Sequence, residues 1–199
     1  MRALALLLLP GVLVFGCSDS PSASSGAPPV PAAQMPLPLK FSGVLPTLGA
    51  DGPHTVMFQA QANSLSSDAE LAQLQTLFKE KGQTALVDEL QVTGEKGWVR
   101  FGLKVAYPIP VIRSTALPGG GRKVVFTAAR PISNTAEYSD QIFINYPIGV
   151  IELTVGPDGK GEGRLLSPVQ AMITKGEFDL KSYSGIAHHL GSIRMTPGK

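Results

Sequence analysis

The sequence predicts an α+β fold: a mostly antiparallel, twisted sheet of about six to eight strands with two short helices near residues 67–91. Three observations support this fold class. Apolar residues make up 43% of the 199-residue chain and charged residues 16%, which is typical of a globular protein. Short segments alternate apolar and polar side chains, which is the period of a half-buried strand. The 22 glycines and 17 prolines supply frequent turns.

The N-terminal part of the chain is predicted to be a leader followed by a tether. An apolar run from Ala3 to Phe15 is shorter than the about 20 residues that span a bilayer, so residues 1–16 read as a signal peptide. Residues 17–38 then form an acylated cysteine and a disordered tether, because a Pro/Ser/Ala-rich stretch buries too little apolar surface to fold. A single globular α+β domain is expected over residues 39–199.

Cys17 is the predicted lipidation site. The segment Val14-Phe15-Gly16-Cys17 resembles the lipobox of bacterial lipoproteins, and Cys17 is the one cysteine of the chain. The resemblance implies acylation, for example with palmitate, and a lipid anchor in the cell envelope, with the outer membrane favoured by Ser18. The alternative is an ordinary signal peptide that contains a cysteine, which leaves an unpaired thiol in an oxidising compartment.

The first predicted elements of the domain are a strand and a helical pair. His54–Ala60 alternates so that its apolar residues share one face. Ser67-Asp-Ala-Glu70 is a capping box, and leucines at helical spacing follow it. Gly82 is suited to the left-handed conformation that ends a helix, and a second helix is predicted from Thr84 to Leu90.

After Gly94 the pattern predicts only strands and turns. Val99–Val105 alternates as a strand, whereas the two prolines in Tyr107–Val111 favour an edge strand or an extended loop. Leu117–Gly121 is a glycine-rich turn that leads into the apolar segment Arg122–Ala129. These segments together predict a hairpin.

The C-terminal part of the sequence predicts a three-stranded meander. Ile151–Val155 alternates, and Pro157-Asp-Gly159 turns the chain. Gly161–Ile173 then reads as one long strand whose odd-numbered apolar residues share a face, with a bulge at Ser167-Pro168. A turn at Lys175-Gly176 precedes a third strand in which Phe178 and Leu180 point inward.

The body from Leu71 to Arg194 resembles an uncharacterised family of exported bacterial proteins. The segments that carry the resemblance are LQTLFKEKGQTALVDEL, GRKVVFTAARPI, YPIGVIELTVGPDGKGEGRL and SYSGIAHHLGSIR. The resemblance implies a single domain that is exported from the cytoplasm. It brings no activity, cofactor or site residue.

No catalytic residue, metal ligand or cofactor is predicted. His188 and His189 are adjacent, so in a strand they face opposite ways, and a polar turn near the C-terminus is the favoured interpretation. The segment GPDGKGEG lacks the Gly-Lys-Ser/Thr end of a phosphate-binding loop and leads into a strand. There is also no Gly-x-Ser-x-Gly motif of a serine hydrolase.

Segregated charges supply the candidate ligand-binding face. The segment from Lys96 to Arg130 has seven basic residues and no acidic one, whereas Ser66–Glu95 has six acidic residues and two lysines. The candidate anionic-ligand face consists of Arg100, Lys104, Arg113, Arg122, Lys123 and Arg130. The alternative is that these basic strands neutralise the acidic helices.

The sequence therefore favours a non-catalytic, envelope-anchored module that binds a protein partner or an anionic envelope component. The formal net charge is only +2, which gives no reason to expect a nucleic-acid partner. The alternative function is a periplasm-facing hydrolase or a small-molecule-binding protein whose site assembles only in three dimensions.

Overall fold

The domain contains ten strands and two helices. The structure, a computed structural model, describes residues 36–49, 52–132, 140–174, 177–183, 185 and 187–197. The strands are β1 (Leu39–Gly49), β2 (Gly52–Ala62), β3 (Gly97–Phe101), β4 (Tyr107–Ile109), β5 (Val111–Ala116), β6 (Arg122–Ala128), β7 (Ile148–Val155), β8 (Lys160–Thr174), β9 (Glu177–Ser182) and β10 (His188–Pro197). The helices are α1 (Asp68–Val92) and α2 (Asp140–Asn145). Cys17 and the rest of the predicted leader lie outside the described residues.

All ten strands belong to one antiparallel sheet. Their order is β4-β3-β2-β1-β10-β8-β7-β6-β5, and β9 pairs with the second half of β8. The end strands β4 and β5 are separated along the chain only by Pro110. The sheet therefore curves until its two ends meet at that residue, which gives it an inner and an outer face.

The inner face encloses the larger of two apolar clusters, here called the inner core. Side chains alternate between the two faces of each strand, so the inner core draws every second residue from most of the sheet. Phe41 on β1 and Phe126 on β6 meet edge to face with ring centroids 5.6 Å apart, although their strands are not neighbours. Each fully buried side chain of this size contributes about 1.5–3 kcal/mol to stability.

Helix α1 begins and bends where the sequence predicts. The Ser67 hydroxyl accepts a hydrogen bond from the Glu70 amide at 3.2 Å, and the Glu70 carboxylate accepts one from the Ser67 amide at 2.7 Å. Gly82 has φ of 79°, a left-handed value that glycine adopts without strain, and it kinks the helix there. Both predicted helices are thus confirmed as two segments of α1.

The apolar face of α1 covers the outer face of the sheet over β5 to β8. Phe78, Leu86 and Leu90 of the helix bury against Val111, Val150 and neighbouring residues in a second cluster, here called the outer cluster. Gln83, just after the kink, accepts a hydrogen bond from the Ala171 amide at 2.9 Å and donates one to the Asn145 carbonyl at 3.1 Å. These contacts fix the helix against β8 and α2.

The predicted meander of β7, β8 and β9 is confirmed, but β8 does not keep one face. The register shifts around Ser167-Pro168, as the predicted bulge requires. Leu165 before the bulge belongs to the inner core, whereas Val169 and Ala171 after it belong to the outer cluster beneath α1. The expectation that the odd-numbered residues share a face is therefore wrong, because the bulge reverses the alternation.

The structure confirms the α+β class and the antiparallel sheet, with more strands than expected. The alternating segment predicted as a strand from Val99 to Val105 ends at Phe101, because the chain turns at Gly102. Tyr107–Ile109 forms the predicted edge strand. The hairpin of β5 and β6 is confirmed. Helix α2 was not predicted. Among the helices of the described chain, none has both the length and the hydropathy needed to cross a membrane.

The C-terminal segment is a central strand and not a turn or tail. β10 pairs with β1 on one side and with β8 on the other. Leu190 and Ile193 are buried in the inner core. The predicted turn at Lys175-Gly176 and the side chain of Phe178 lie outside the described residues.

Candidate functional site

Lys123 of the predicted ligand face is neutralised within the protein. Its Nζ lies 3.0 Å from the Glu152 carboxylate on β7, and Arg164 on β8 bonds the same carboxylate. Burial raises the pKa of Glu152, but the hydrogen bonds and charges of Lys123 and Arg164 outweigh it and hold that pKa below its ordinary value. Glu152 is therefore ionised at neutral pH, and its negative charge neutralises that of Lys123.

Three other cations of the predicted face have different surroundings. Arg122 donates a hydrogen bond to the Ser114 hydroxyl at 2.9 Å. The guanidinium of Arg130 lies 4.8 Å from the ring centroid of Tyr107, a cation–π distance. Lys104 lies in the exposed turn that follows β3.

The last two predicted cations face outward on different strands. Arg113 on β5 lies at the rim of a groove beneath α1. Arg100 on β3 donates to the Gln59 side chain and lies over the Trp98 ring at 5.7 Å from its centroid. The structure therefore places the six predicted cations in several local environments and joins Arg100 to residues that were not predicted.

Those residues belong to the outer face of β3, β2, β1 and β10, which the outer cluster beneath α1 does not include. Inward side chains on these strands are buried in the inner core, so the alternate residues point outward. We call this surface the basic face; it comprises Lys40, Ser42, Gln59, Gln61, Trp98, Arg100, Arg194 and Thr196.

Strand register aligns the basic face into two rows. In one row Arg100 stands opposite Gln59, Gln59 opposite Ser42, Ser42 opposite Arg194, and Arg194 opposite Lys160 on β8. Adjacent strands are about 4.8 Å apart, so Arg100 and Arg194 are separated by about 14 Å along the row.

The second row runs beside the first. Trp98 stands opposite Gln61, Gln61 opposite Lys40, and Lys40 opposite Thr196. The first row combines arginines and a lysine with neutral hydrogen-bond donors, and the second combines one lysine with such donors and an indole ring. Lysine, arginine, amide and hydroxyl side chains all donate hydrogen bonds to anionic oxygens.

The basic face has no nearby carboxylate of its own strands. β1, β2, β3, β4 and β10 contain no aspartate or glutamate, although they are five consecutive strands of the sheet. Within the described residues Lys40 and Arg194 form no ion pair, and the buried Nε of Arg100 has no hydrogen-bond partner. Lys160, at the end of the first row, is paired with Asp158 at 3.7 Å. The cations of the face that have no such partner create a positive potential that attracts anions.

One contact fits the alternative interpretation of the charge pattern. Lys96 lies 3.0 Å from the Glu70 carboxylate at the start of α1, so a cation of the basic segment does neutralise the acidic helix there. The pKa of Glu70 is lower than its ordinary value. The main cause is the hydrogen bond from the Ser67 backbone amide, and the hydrogen bond from Lys96 is the second.

The histidines and the glycine-rich segment form no recognisable catalytic or metal site. His188 and His189 begin β10, opposite Leu165 and Arg164. Within the part of the chain that the structure describes, no three His, Cys, Asp or Glu residues come close enough to hold a metal ion. The glycine-rich segment is a hairpin turn, in which the Gly156 amide donates to the Lys160 carbonyl at 2.8 Å.

A groove of about 230 Å³ lies between α1 and the sheet. Leu71 and Leu74 line it from the first segment of α1, Leu86 and Leu90 line it from the second, and Val111 belongs to the part contributed by the sheet. Two further cavities of about 370 and 430 Å³ lie beside Lys96 and Arg130 and contain more polar groups.

Sequence reasoning missed Lys40 and Arg194, because they lie near opposite ends of the chain and only the pairing of β1 with β10 brings them together. The absence of acidic residues from each of these strand segments is the sequence signal that could have identified them. No family model, curated protein or solved structure matches this chain.

Proposed function

We propose that this protein is an envelope-anchored lipoprotein whose domain is a non-catalytic module for binding an anionic envelope polymer. The ligand is an acidic glycan or a phosphate-bearing polymer, and it lies across the rows of the basic face. The observation that carries the proposal is the run of five consecutive strands without a carboxylate, with Arg100, Arg194 and Lys40 on its outer surface.

Cations repeated across several strands suit a chain-like anion better than a single small one. Arg100 and Arg194 stand about 14 Å apart across three strand spacings, which one phosphate or carboxylate does not bridge. Gln59 and Ser42, which lie between them in the row, can donate hydrogen bonds to the sugar or phosphate oxygens between the two charges. Trp98 adds a ring on which a sugar can stack.

Among the described residues, the carboxyl groups with shifted pKa values do not favour the hydrolase alternative. A general acid or base works best with a pKa near the working pH, which for a carboxyl group requires an upward shift. The two shifted carboxyl groups among the described residues, Glu70 and Glu152, have their pKa values lowered, and both are held in ion pairs. Both therefore act as structural anions.

The lipid anchor is tested at Cys17. Substituting Cys17→Ala in the full-length chain should abolish metabolic labelling with palmitate and move the protein from the membrane fraction to the soluble fraction, because the acyl chains supply the membrane affinity. Ser20→Ala, which keeps the cysteine, should label and fractionate like the parent. Unchanged membrane retention of the Cys17→Ala protein would contradict the anchor.

The basic face is tested with charge-matched variants of the full-length chain. Lys40→Gln combined with Arg194→Gln should weaken binding to immobilised polygalacturonate by about tenfold at about 50 mM salt, because two screened charge contacts are lost. Lys79→Gln combined with Lys81→Gln removes the same charge from α1 and should leave affinity nearly unchanged. Neutral dextran is the control polymer.

The same measurement separates a local site from a general charge effect. If both double variants weaken binding equally, net charge alone causes the attraction and the proposed face is wrong. If binding to polygalacturonate does not fall as salt is raised, electrostatic contacts do not carry it, and the proposal fails as well.

A further inference from the structure

The groove beneath α1 has the composition of a ligand site and is separate from the basic face. Both segments of α1 line it, because the kink at Gly82 turns the second segment so that Leu86 and Leu90 face the same space as Leu71 and Leu74. Val111, Val125 and Ile148 line it from β5, β6 and β7. Its lining is therefore mainly aliphatic.

Part of this aliphatic lining is accessible to solvent. Leu71, Leu74 and Leu180 contact the outer cluster but are only half-buried, whereas Leu86 and Leu90 are buried. When an apolar ligand covers apolar surface that is in contact with water, the free energy of the system falls. The groove thus favours an apolar group that enters from the side of the half-buried leucines.

One charged side chain stands at the groove. Arg113 is exposed, is the single charged residue among the described groove-lining residues, and forms no ion pair with a described residue. Gln75 and Thr127 supply neutral polar atoms beside it. A guanidinium next to an aliphatic groove complements a ligand with an anionic head and an apolar tail.

We propose that this groove binds a single acyl chain that ends in a carboxylate or phosphate head group, with the chain among the leucines and the head at Arg113. Its volume of about 230 Å³ is below the usual range of about 300–1,000 Å³ for drug-sized ligands, which suits one chain and not a two-chain lipid. This inference does not depend on the basic face.

Calorimetric titration of the full-length chain with octanoate, decanoate, decyl phosphate and decanol tests the proposal. Affinity should rise about fourfold for each added methylene until the groove is full. Decanoate and decyl phosphate should both bind more tightly than decanol, and their ratio distinguishes a free fatty acid from a phosphate-bearing lipid as the better ligand.

Three groove variants and one control variant on the basic face locate the site. Arg113→Gln should weaken decanoate binding about three- to fivefold and leave decanol binding unchanged, because it removes an exposed ion pair. Gln75→Glu, at an exposed helix position, should weaken both anionic ligands and spare decanol. Leu74→Phe should weaken all of them by filling the groove, and Arg194→Gln on the basic face should change none.

Failure of the groove variants to change affinity would overturn the proposal even if the basic face binds polyanions. Equal affinity for decanol and decanoate would remove the role of Arg113. Concentration-dependent dimerisation that Leu74→Phe abolishes, measured by sedimentation, would show that a second copy of the chain covers the groove and would also overturn the proposal.

Discussion

Glu152 receives two cations from neighbouring strands. Lys123 on β6 and Arg164 on β8 both bond its carboxylate, which is 16% exposed. Sequence reasoning assigned Lys123 to an external ligand, because a list of residues shows which charges exist but not which carboxylate stands beside them. The pairing of β6 with β7 and of β7 with β8 decides that question.

Replacing this carboxylate should make stability depend on pH in a defined direction. The pKa of Glu152 is lower folded than its ordinary value of 4.5, so its stabilisation is present above about pH 4.5 and is lost as pH falls through the folded pKa. Glu152→Gln should therefore reduce the free energy of unfolding by about 0.5–1 kcal/mol at neutral pH, after allowance for the exposed partners. Urea unfolding curves measure this loss.

The loss should shrink as the solution is acidified well below pH 4.5, since the parent carboxylate is then protonated too. Glu162→Gln, on β8 and without an ion pair among the described residues, is the control and should cost almost nothing at any pH. A loss for Glu152→Gln that stays the same in acid would contradict the ion-pair account.

At the scale of elements, α1 was predictable because its signals are local. The capping box and Gly82 each lie within a few residues of the feature that they determine. The capping box has the predicted geometry, and Gly82 interrupts the helix with a positive φ of 79°, although its ψ of −171° is not that of the predicted αL cap. Helix α2, with six residues, is too short to show an apolar period and was missed.

The N-terminal cap of α1 offers a direct test at this scale. Ser67→Ala removes the hydroxyl that accepts a hydrogen bond from the Glu70 amide, and should lower the free energy of unfolding by about 1 kcal/mol. Thr84→Ala, exposed within the helix, should be neutral or slightly stabilising because alanine has the higher helix propensity. Chemical denaturation followed by circular dichroism distinguishes them, and equal effects would contradict the cap.

Local sequence pattern could not predict how two of the strands are arranged in the sheet. β8 changes faces at Ser167-Pro168, so its apolar residues serve two clusters, and an alternating pattern alone does not reveal the reversal. β10 is central because it pairs with β1 and β8, which are distant in sequence. Strand pairing of this kind depends on contacts between segments that are distant in sequence, so a local turn motif does not predict it.

At the scale of the whole molecule, charge is unevenly distributed over the described residues, and the sequence predicted this distribution only in part. Segregation of acidic from basic residues was evident along the chain, yet it pointed to the segment from Lys96 to Arg130 alone. The sheet order instead joins Arg100 to Lys40 and Arg194 through β2, β1 and β10. The candidate face could therefore be named for its charge from sequence, but its residues required the fold.

The groove and the basic face are two surfaces with different expected ligands. The groove owes its aliphatic lining to the packing of a kinked helix on β5, β6 and β7, whereas the basic face comprises outward side chains of four other strands. Variants of one surface should consequently leave binding at the other unchanged, as changes at separate sites usually act independently.

Mapping an anionic oligosaccharide onto the domain by NMR tests the central claim most directly. Titration of the ¹⁵N-labelled full-length chain with short oligogalacturonates should shift the amides of Lys40, Ser42, Gln59 and Arg194 and the indole N–H of Trp98, because these groups lie along the two rows. Shifts confined to α1, or to the surroundings of Lys123 and Glu152, or no shifts at low salt, would contradict it.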